Sequence, residues 1–246
     1  MEDTPPSLHD AVNQQENQKE SILLIVEDKK ELFEKLYDEI IATQPTLDKC
    51  KRVWVSTLAE AIAVLCDPGH IIAAAVIDNG FSVLSEGDRK GKTDSAGIAL
   101  VQFMHGNSSD LLGKSIDDSV MGEKIGATEA RYIEYMALKR RSKSMSSERR
   151  KALKKVPIVW TSFSPDASKV IGIIMALGTS YGDARKTLEG KGESIDVLAI
   201  NEYTVCCRKG YDQLVSAFQF IENRMISPKH PTDSLPGNTG GPSAAR

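Results

Sequence analysis

Five short, largely apolar runs, each followed by a segment with helical spacing, constrain the fold of this chain more than any other feature. Such runs have the length of buried strands, and strands that alternate with helices build a parallel sheet covered on both faces. We therefore predict an α/β protein with a doubly wound, five-stranded parallel sheet. The predicted strands are Ile22–Val26, Arg52–Val55, Ile71–Ile77, Pro157–Trp160 and Asp196–Ile200.

The segments between these runs place apolar residues three and four positions apart, as amphipathic helices do. Phe33, Leu36 and Ile40 follow the first run with this spacing, and Ser56 or Thr57 is the predicted N-cap of the next helix. The last helix is predicted to run from about Thr204 to Met225.

Composition narrows the class of protein. Hydrophobic residues make up 41% of the 246 residues, which is enough for one sizeable core. Lys and Arg number 31 against 34 Asp and Glu, so the net charge of −3 gives no reason to expect nucleic acid or an anionic membrane as a partner. The first 20 residues do not resemble a signal peptide, and we expect a cytoplasmic protein with reduced cysteines.

The organisation predicted along the chain is one domain between two polar tails. The tails are rich in Pro, Gly, Ser and other polar residues and bury too little apolar surface to offset the entropy of ordering. Three long segments fall outside the strand and helix pattern and are interpreted as loop insertions. The tails are residues 1–20 and 227–246, the domain is 21–226, and the insertions are 82–96, 106–155 and 179–194.

Acidic and hydroxyl side chains stand at the carboxyl ends of the predicted strands. Glu27 and Asp28 follow the first strand, Asp78 ends the third, and Thr161 and Ser162 end the fourth. In open parallel sheets this edge is where ligands bind. Carboxylates gathered there repel one another unless a hard cation lies between them, which predicts a Mg²⁺ site. The alternative for Asp78 is a turn residue, because Asp-Asn-Gly is favourable turn chemistry.

These motifs, taken in order, resemble the response-regulator receiver domain of two-component signalling. The resemblance rests on ILLIVED from Ile22, AAAVID ending at Asp78, and VPIVWTS ending at Ser162, and it covers most of residues 21–226. It implies a flavodoxin-like fold in which Asp78 accepts a phosphoryl group from a sensor histidine kinase or a phosphotransfer protein. The downstream partner is expected to be another protein, with neither membrane nor nucleic acid involved.

The resemblance also implies roles for the neighbouring residues. Glu27, Asp28 and Asp78, with the backbone carbonyl of Gly80, would hold Mg²⁺, which neutralises charge during phosphoryl transfer. Ser162 matches the hydroxyl that responds to phosphorylation, with Thr161 as the alternative.

The chain departs from the family pattern after the predicted fifth strand. Ile200 and Asn201 stand where the family has Lys and Pro, and Val197 stands where it has an aromatic switch residue. Phe163 replaces the small residue that usually follows the hydroxyl. A pseudo-receiver that binds partners without phosphorylation, and a small Mg²⁺-dependent phosphohydrolase, therefore stay open as alternatives.

One strongly charged segment lies outside the resemblance. Lys139 to Lys155 contains nine Lys or Arg and one Glu. Such a run is usually a solvated helix or linker, and the alternative is a docking surface for an acidic partner or for nucleic acid.

Overall fold

A computed structural model describes residues 20–84, 92–93, 96–105, 129–189 and 195–226. Its strands are β1 (Ser21–Val26), β2 (Lys51–Val55), β3 (Ile71–Asp78), β4 (Phe81–Ser82), β5 (Lys92–Thr93), β6 (Ile158–Ser162), β7 (Val197–Ala199) and β8 (Thr204–Arg208). Its helices are α1 (Lys30–Ile41), α2 (Pro45–Asp48), α3 (Leu58–Cys66), α4 (Ala96–His105), α5 (Glu129–Ser144), α6 (Ser147–Leu153), α7 (Ala167–Ala176), α8 (Tyr181–Leu188) and α9 (Tyr211–Ile226).

The main sheet has six strands in the order β2-β1-β3-β6-β8-β7. The first five are parallel to one another, and β7 pairs antiparallel to β8 at the edge. The predicted α/β class and parallel sheet are thus confirmed, with one antiparallel strand added.

Helices cover both faces of the sheet because alternate residues of each buried strand point to opposite sides. In β1, Ile22, Leu24 and Val26 join a core under α3, α4 and α7, while Leu23 and Ile25 join a core under α1 and α9. The Thr57 side chain caps α3 in a capping box with Glu60, as the sequence predicted for this position.

The prediction for the carboxyl-terminal part of the domain is wrong in one respect. Val197–Ala199 is not the fifth parallel strand but the edge strand of a hairpin, and the fifth parallel strand is Thr204–Arg208, where a helix was predicted. Asn201 forms the hairpin turn, because its Oδ1 accepts hydrogen bonds from the backbone N–H of Tyr203 at 2.8 Å and of Thr204 at 2.7 Å. The closing helix begins only at Tyr211.

Parts of the predicted insertions form defined elements. Residues 129–153 form α5 and α6, residues 181–188 form α8, and β4 pairs antiparallel with β5. All but residue 20 of the predicted tail 1–20, the whole predicted tail 227–246 and most of insertion 82–96 lie outside the described residues. Within the described ranges no helix has both the length and the apolar character needed to cross a membrane.

Candidate phosphoryl and metal site

The carboxyl ends of β1, β3, β6 and β8 are neighbours in the sheet and form one edge. Glu27 follows β1, Asp78 ends β3, Ser162 ends β6, and Lys209 follows β8. Four strands that are distant in sequence therefore place two acids, a hydroxyl and an ammonium side by side, at the edge where parallel sheets bind ligands.

Three carboxylates converge at this edge. One oxygen each from Glu27, Asp28 and Asp78 lies within 4.8 Å of the others. Glu27 and Asp78 are buried and Asp28 is half-buried. Hard oxygen ligands at this mutual distance are the donor set that Mg²⁺ or Ca²⁺ takes, so these residues fit a divalent cation.

Lys209 lies against the two buried acids. Its Nζ is 2.9 Å from Asp78 Oδ1 and also forms an ion pair with Glu27 Oε2, and its side chain is fully buried. The backbone N–H of Lys209 donates to the carbonyl of Ser162 at 2.9 Å, which fixes the start of this side chain on the neighbouring strand. A buried ammonium with two charge-assisted partners is a fixed positive charge facing Asp78.

The expectation that Ile200 and Asn201 replace the family's Lys and Pro is therefore wrong. The strand before the loop is Thr204–Arg208, and Lys209 with Gly210 follows it. Sequence reasoning missed Lys209 because Thr-Val-Cys-Cys is a weaker apolar run than Val-Leu-Ala-Ile. The signal that could have found it is the Asn201 turn between two short runs, which is typical of a hairpin.

Two buried carboxylates, those of Glu27 and Asp78, share the single ammonium of Lys209, and Asp28 is the third carboxylate of the cluster. A divalent cation at this edge would offset the repulsion among these acids. Burial raises the pKa of Glu27 above its ordinary value, although Lys209 acts to lower it. The negative charge of Asp78 raises the pKa of Glu27 further.

The backbone around Asp78 is held by close packing of α4. The N–H of Gly97 donates to the carbonyl of Asn79 at 3.0 Å, and a Cβ on Gly97 would lie 2.2 Å from the carbonyl oxygen of Asp78. Only glycine fits here, so the first turn of α4 can rest directly on the end of β3.

The two candidate hydroxyls have different surroundings. Thr161 pairs with Asp78 across the sheet, is fully buried, and its Oγ1 lies 3.5 Å from the carbonyl of Ile77. Ser162 lies one residue further along, at the end of β6, and its Oγ is 3.4 Å from the backbone nitrogen of Ser164. Gly80 is buried in the bend after Asp78.

Two phenylalanine rings flank the ammonium of Lys209. Its Nζ lies 4.3 Å from the ring centroid of Phe33 and 4.9 Å from that of Phe163, and the two rings are 5.5 Å apart. The contacts lie within the range of cation–π attraction. Phe163 thus lies beside the site and is 51% exposed.

Comparisons of this chain with protein-family models, with curated proteins and with solved structures find no match.

Proposed function

We propose that this protein is a receiver-like signalling protein that accepts a phosphoryl group on Asp78 with the help of Mg²⁺. The observation that carries the proposal is the contact of Lys209 with Asp78 at 2.9 Å beside a cluster of three carboxylates. Phosphoryl transfer needs an oxygen nucleophile, a cation site and a positive charge facing the equatorial oxygens, and this edge offers all three.

The strand order supports the same proposal. The five parallel strands follow the order 2-1-3-4-5 in the chain, which is the flavodoxin-like order, with the ligand crevice beside the first and third strands. Asp78 ends the third of these strands and Glu27 follows the first.

In the proposed reaction an oxygen of Asp78 attacks the phosphorus of a phosphohistidine or an acyl phosphate. A bond forms between Asp78 and phosphorus while the bond from phosphorus to the donor nitrogen or oxygen breaks, and the donor keeps that electron pair. Glu27, Asp28 and Asp78 would hold Mg²⁺, which supplies charge neutralisation. Lys209 faces the phosphoryl oxygens, and hydrolysis by water later releases inorganic phosphate and restores the Asp78 carboxylate.

Ser162 is the better candidate for the hydroxyl that meets the phosphoryl group. The Thr161 hydroxyl lies 3.5 Å from the Ile77 carbonyl inside the sheet, whereas Ser162 is the last residue of β6 and its backbone carbonyl accepts a hydrogen bond from the N–H of Lys209. The position three residues before Lys209 is the buried Cys206, so an aromatic switch side chain is absent there. We therefore expect the output to pass through contacts of the loops and helices with a partner protein.

The proposal is tested by intact-protein mass after incubation with Mg²⁺ and a small acyl phosphate. We expect an added phosphoryl mass that requires Mg²⁺, is lost in Asp78→Ala, and is strongly reduced in Lys209→Met. Folded wild-type protein that binds no Mg²⁺ and gains no mass would favour the pseudo-receiver. Steady turnover of a simple phosphate ester without a stable adduct would favour the phosphohydrolase.

A further inference from the structure

Phe163 occupies a distinctive place at the mouth of the candidate site. It is the first residue after β6, directly follows Ser162, and exposes half of its side chain to solvent. The inner side of this ring lies against the Phe33 ring and the buried ammonium of Lys209. Phe163 therefore lies between the solvent and the charged group that contacts Asp78.

A second ammonium approaches the same ring. Lys29 Nζ lies 4.8 Å from the Phe163 centroid, and Lys29 belongs to the loop that carries Glu27 and Asp28. Its backbone N–H donates to Glu27 Oε1 at 3.1 Å, which ties this loop to the acids. Two loops of the site thus contact one aromatic side chain.

The ring is held by contacts that can be broken without unfolding the core. Phe33 is buried and belongs to a row of aromatic side chains. Its ring centroid lies 5.7 Å from that of Tyr37, and the ring of Trp54 stacks on Tyr37. Phe163 stands at the exposed end of this row. A cation–π contact at such a site changes the ratio of closed to open ring by roughly 2- to 30-fold, so the closed position is favoured but the ring can still open.

We propose that Phe163 is a lid that controls the access of phosphoryl donor and of water to Asp78. In the closed position the ring covers Lys209, and rotation away from Phe33 opens a path to the acids. The expected effects on phosphorylation and hydrolysis rest on the proposed function, whereas the control of access to Asp78 by Phe163 does not. An open lid speeds both the arrival of the donor and the hydrolysis of the phosphorylated Asp78.

Access is tested without phosphorylation by labelling carboxylates with a water-soluble carbodiimide and a small amine, followed by peptide mass spectrometry. The comparison is among wild type, Phe163→Ala, Phe163→Leu and Tyr181→Ala. Tyr181 is a matched control, because it is an exposed aromatic residue and begins α8, which is not one of the elements that supply the site residues. We expect severalfold faster labelling of Asp78 in Phe163→Ala, a smaller increase in Phe163→Leu, and the wild-type rate in Tyr181→Ala.

The second arm measures phosphorylation by a small acyl phosphate and the decay of the adduct in the same proteins. We expect both rates to rise in Phe163→Ala relative to wild type and Tyr181→Ala. Equal labelling of Asp78 in folded wild type and Phe163→Ala overturns the lid. Faster labelling with no adduct in any variant upholds the lid and counts against the proposed phosphoryl transfer instead.

Discussion

At the scale of single residues, the balance of charge around Lys209 determines what the site can do. A buried ammonium with two carboxylate partners is stable only as part of the group, because removal of one partner leaves unpaired charge in the interior. Lys209 offsets the repulsion between Glu27 and Asp78, and a divalent cation bound at this edge would offset the same repulsion.

This balance predicts the behaviour of Lys209→Met. Without metal, the variant should lose about 3 to 5 kcal/mol of unfolding free energy, because Glu27 and Asp78 face each other without compensation. Mg²⁺ should restore part of that loss and stabilise the variant more than the wild type. Urea unfolding with chelator and with Mg²⁺ measures both effects; equal stabilisation of the two proteins by Mg²⁺ would contradict the account.

His105 gives a prediction about pH. Burial, and to a smaller degree Lys154, lowers the pKa of His105 to about 4 in the folded protein, against about 6.5 when unfolded. The unfolded chain therefore binds this proton first, and stability present above pH 6.5 is lost as the pH falls towards 4. The difference amounts to about 2 kcal/mol between pH 8 and pH 5.

The variant His105→Leu isolates this contribution from other titrating groups. Urea unfolding of both proteins at pH 8 and pH 5 should show a smaller loss in the variant, by about 2 kcal/mol. Parallel pH dependence in the two proteins would mean that folding does not lower the pKa of His105.

At the scale of elements, the carboxyl-terminal helix secures α2 through one buried acid. Glu222 on α9 is almost fully buried, and its two oxygens accept hydrogen bonds from the backbone N–H of Thr46 at 2.7 Å and of Leu47 at 2.9 Å. These N–H groups lie in the first turn of α2, where no helical partner exists. The carboxylate thus caps α2 from a residue distant in sequence.

Replacing this acid should weaken the contact between α9 and α2. Glu222→Ala leaves two backbone donors unpaired, and we expect a loss of roughly 2 to 4 kcal/mol in unfolding free energy. Glu222→Gln keeps one acceptor and should lose less. Chemical denaturation of the three proteins compares them, and a Gln variant as unstable as the Ala variant would argue against the cap.

The elements also show what sequence patterns can and cannot predict. The strands that end at Val26 and Asp78 are strongly apolar and bounded by acids, so both they and the acidic cluster were predictable. Strand β8 is short and contains Thr204 and two cysteines, and its identity depends on pairing with β6 and β7. Because this pairing depends on contacts with other strands, the local sequence pattern of Thr204–Arg208 did not indicate a strand, and a helix was predicted there.

At the scale of the whole molecule, the basic segment and the acidic site lie at different ends of the sheet. Arg149 of α6 donates to the carbonyls of Leu65 at 2.9 Å and His70 at 2.6 Å, next to the start of β3. The acids lie at the opposite, carboxyl end of that strand. Part of the predicted charge run is thus structural, and its role in docking stays a prediction.

The topology of the sheet explains why Lys209 was not predicted as a site residue, whereas Glu27, Asp28 and Asp78 were. Glu27 and Asp28 directly follow a strong strand, whereas Lys209 joins the site only when the hairpin of β7 and β8 places the fifth parallel strand beside β6. Residues at the ends of four strands form this site, so each of them can be predicted from the sequence only if its strand can be predicted. The weakest strand carried the residue that contacts Asp78.

The central claim is that Asp78 accepts the phosphoryl group, and its most direct test is chemical identification of the modified residue. After incubation with Mg²⁺ and a small acyl phosphate, borohydride reduction converts a phosphorylated aspartate to homoserine, which peptide mass spectrometry locates. The account predicts homoserine at position 78 and none at position 28. Homoserine at another aspartate, or its absence from position 78 in protein that has gained a phosphoryl mass, would contradict it.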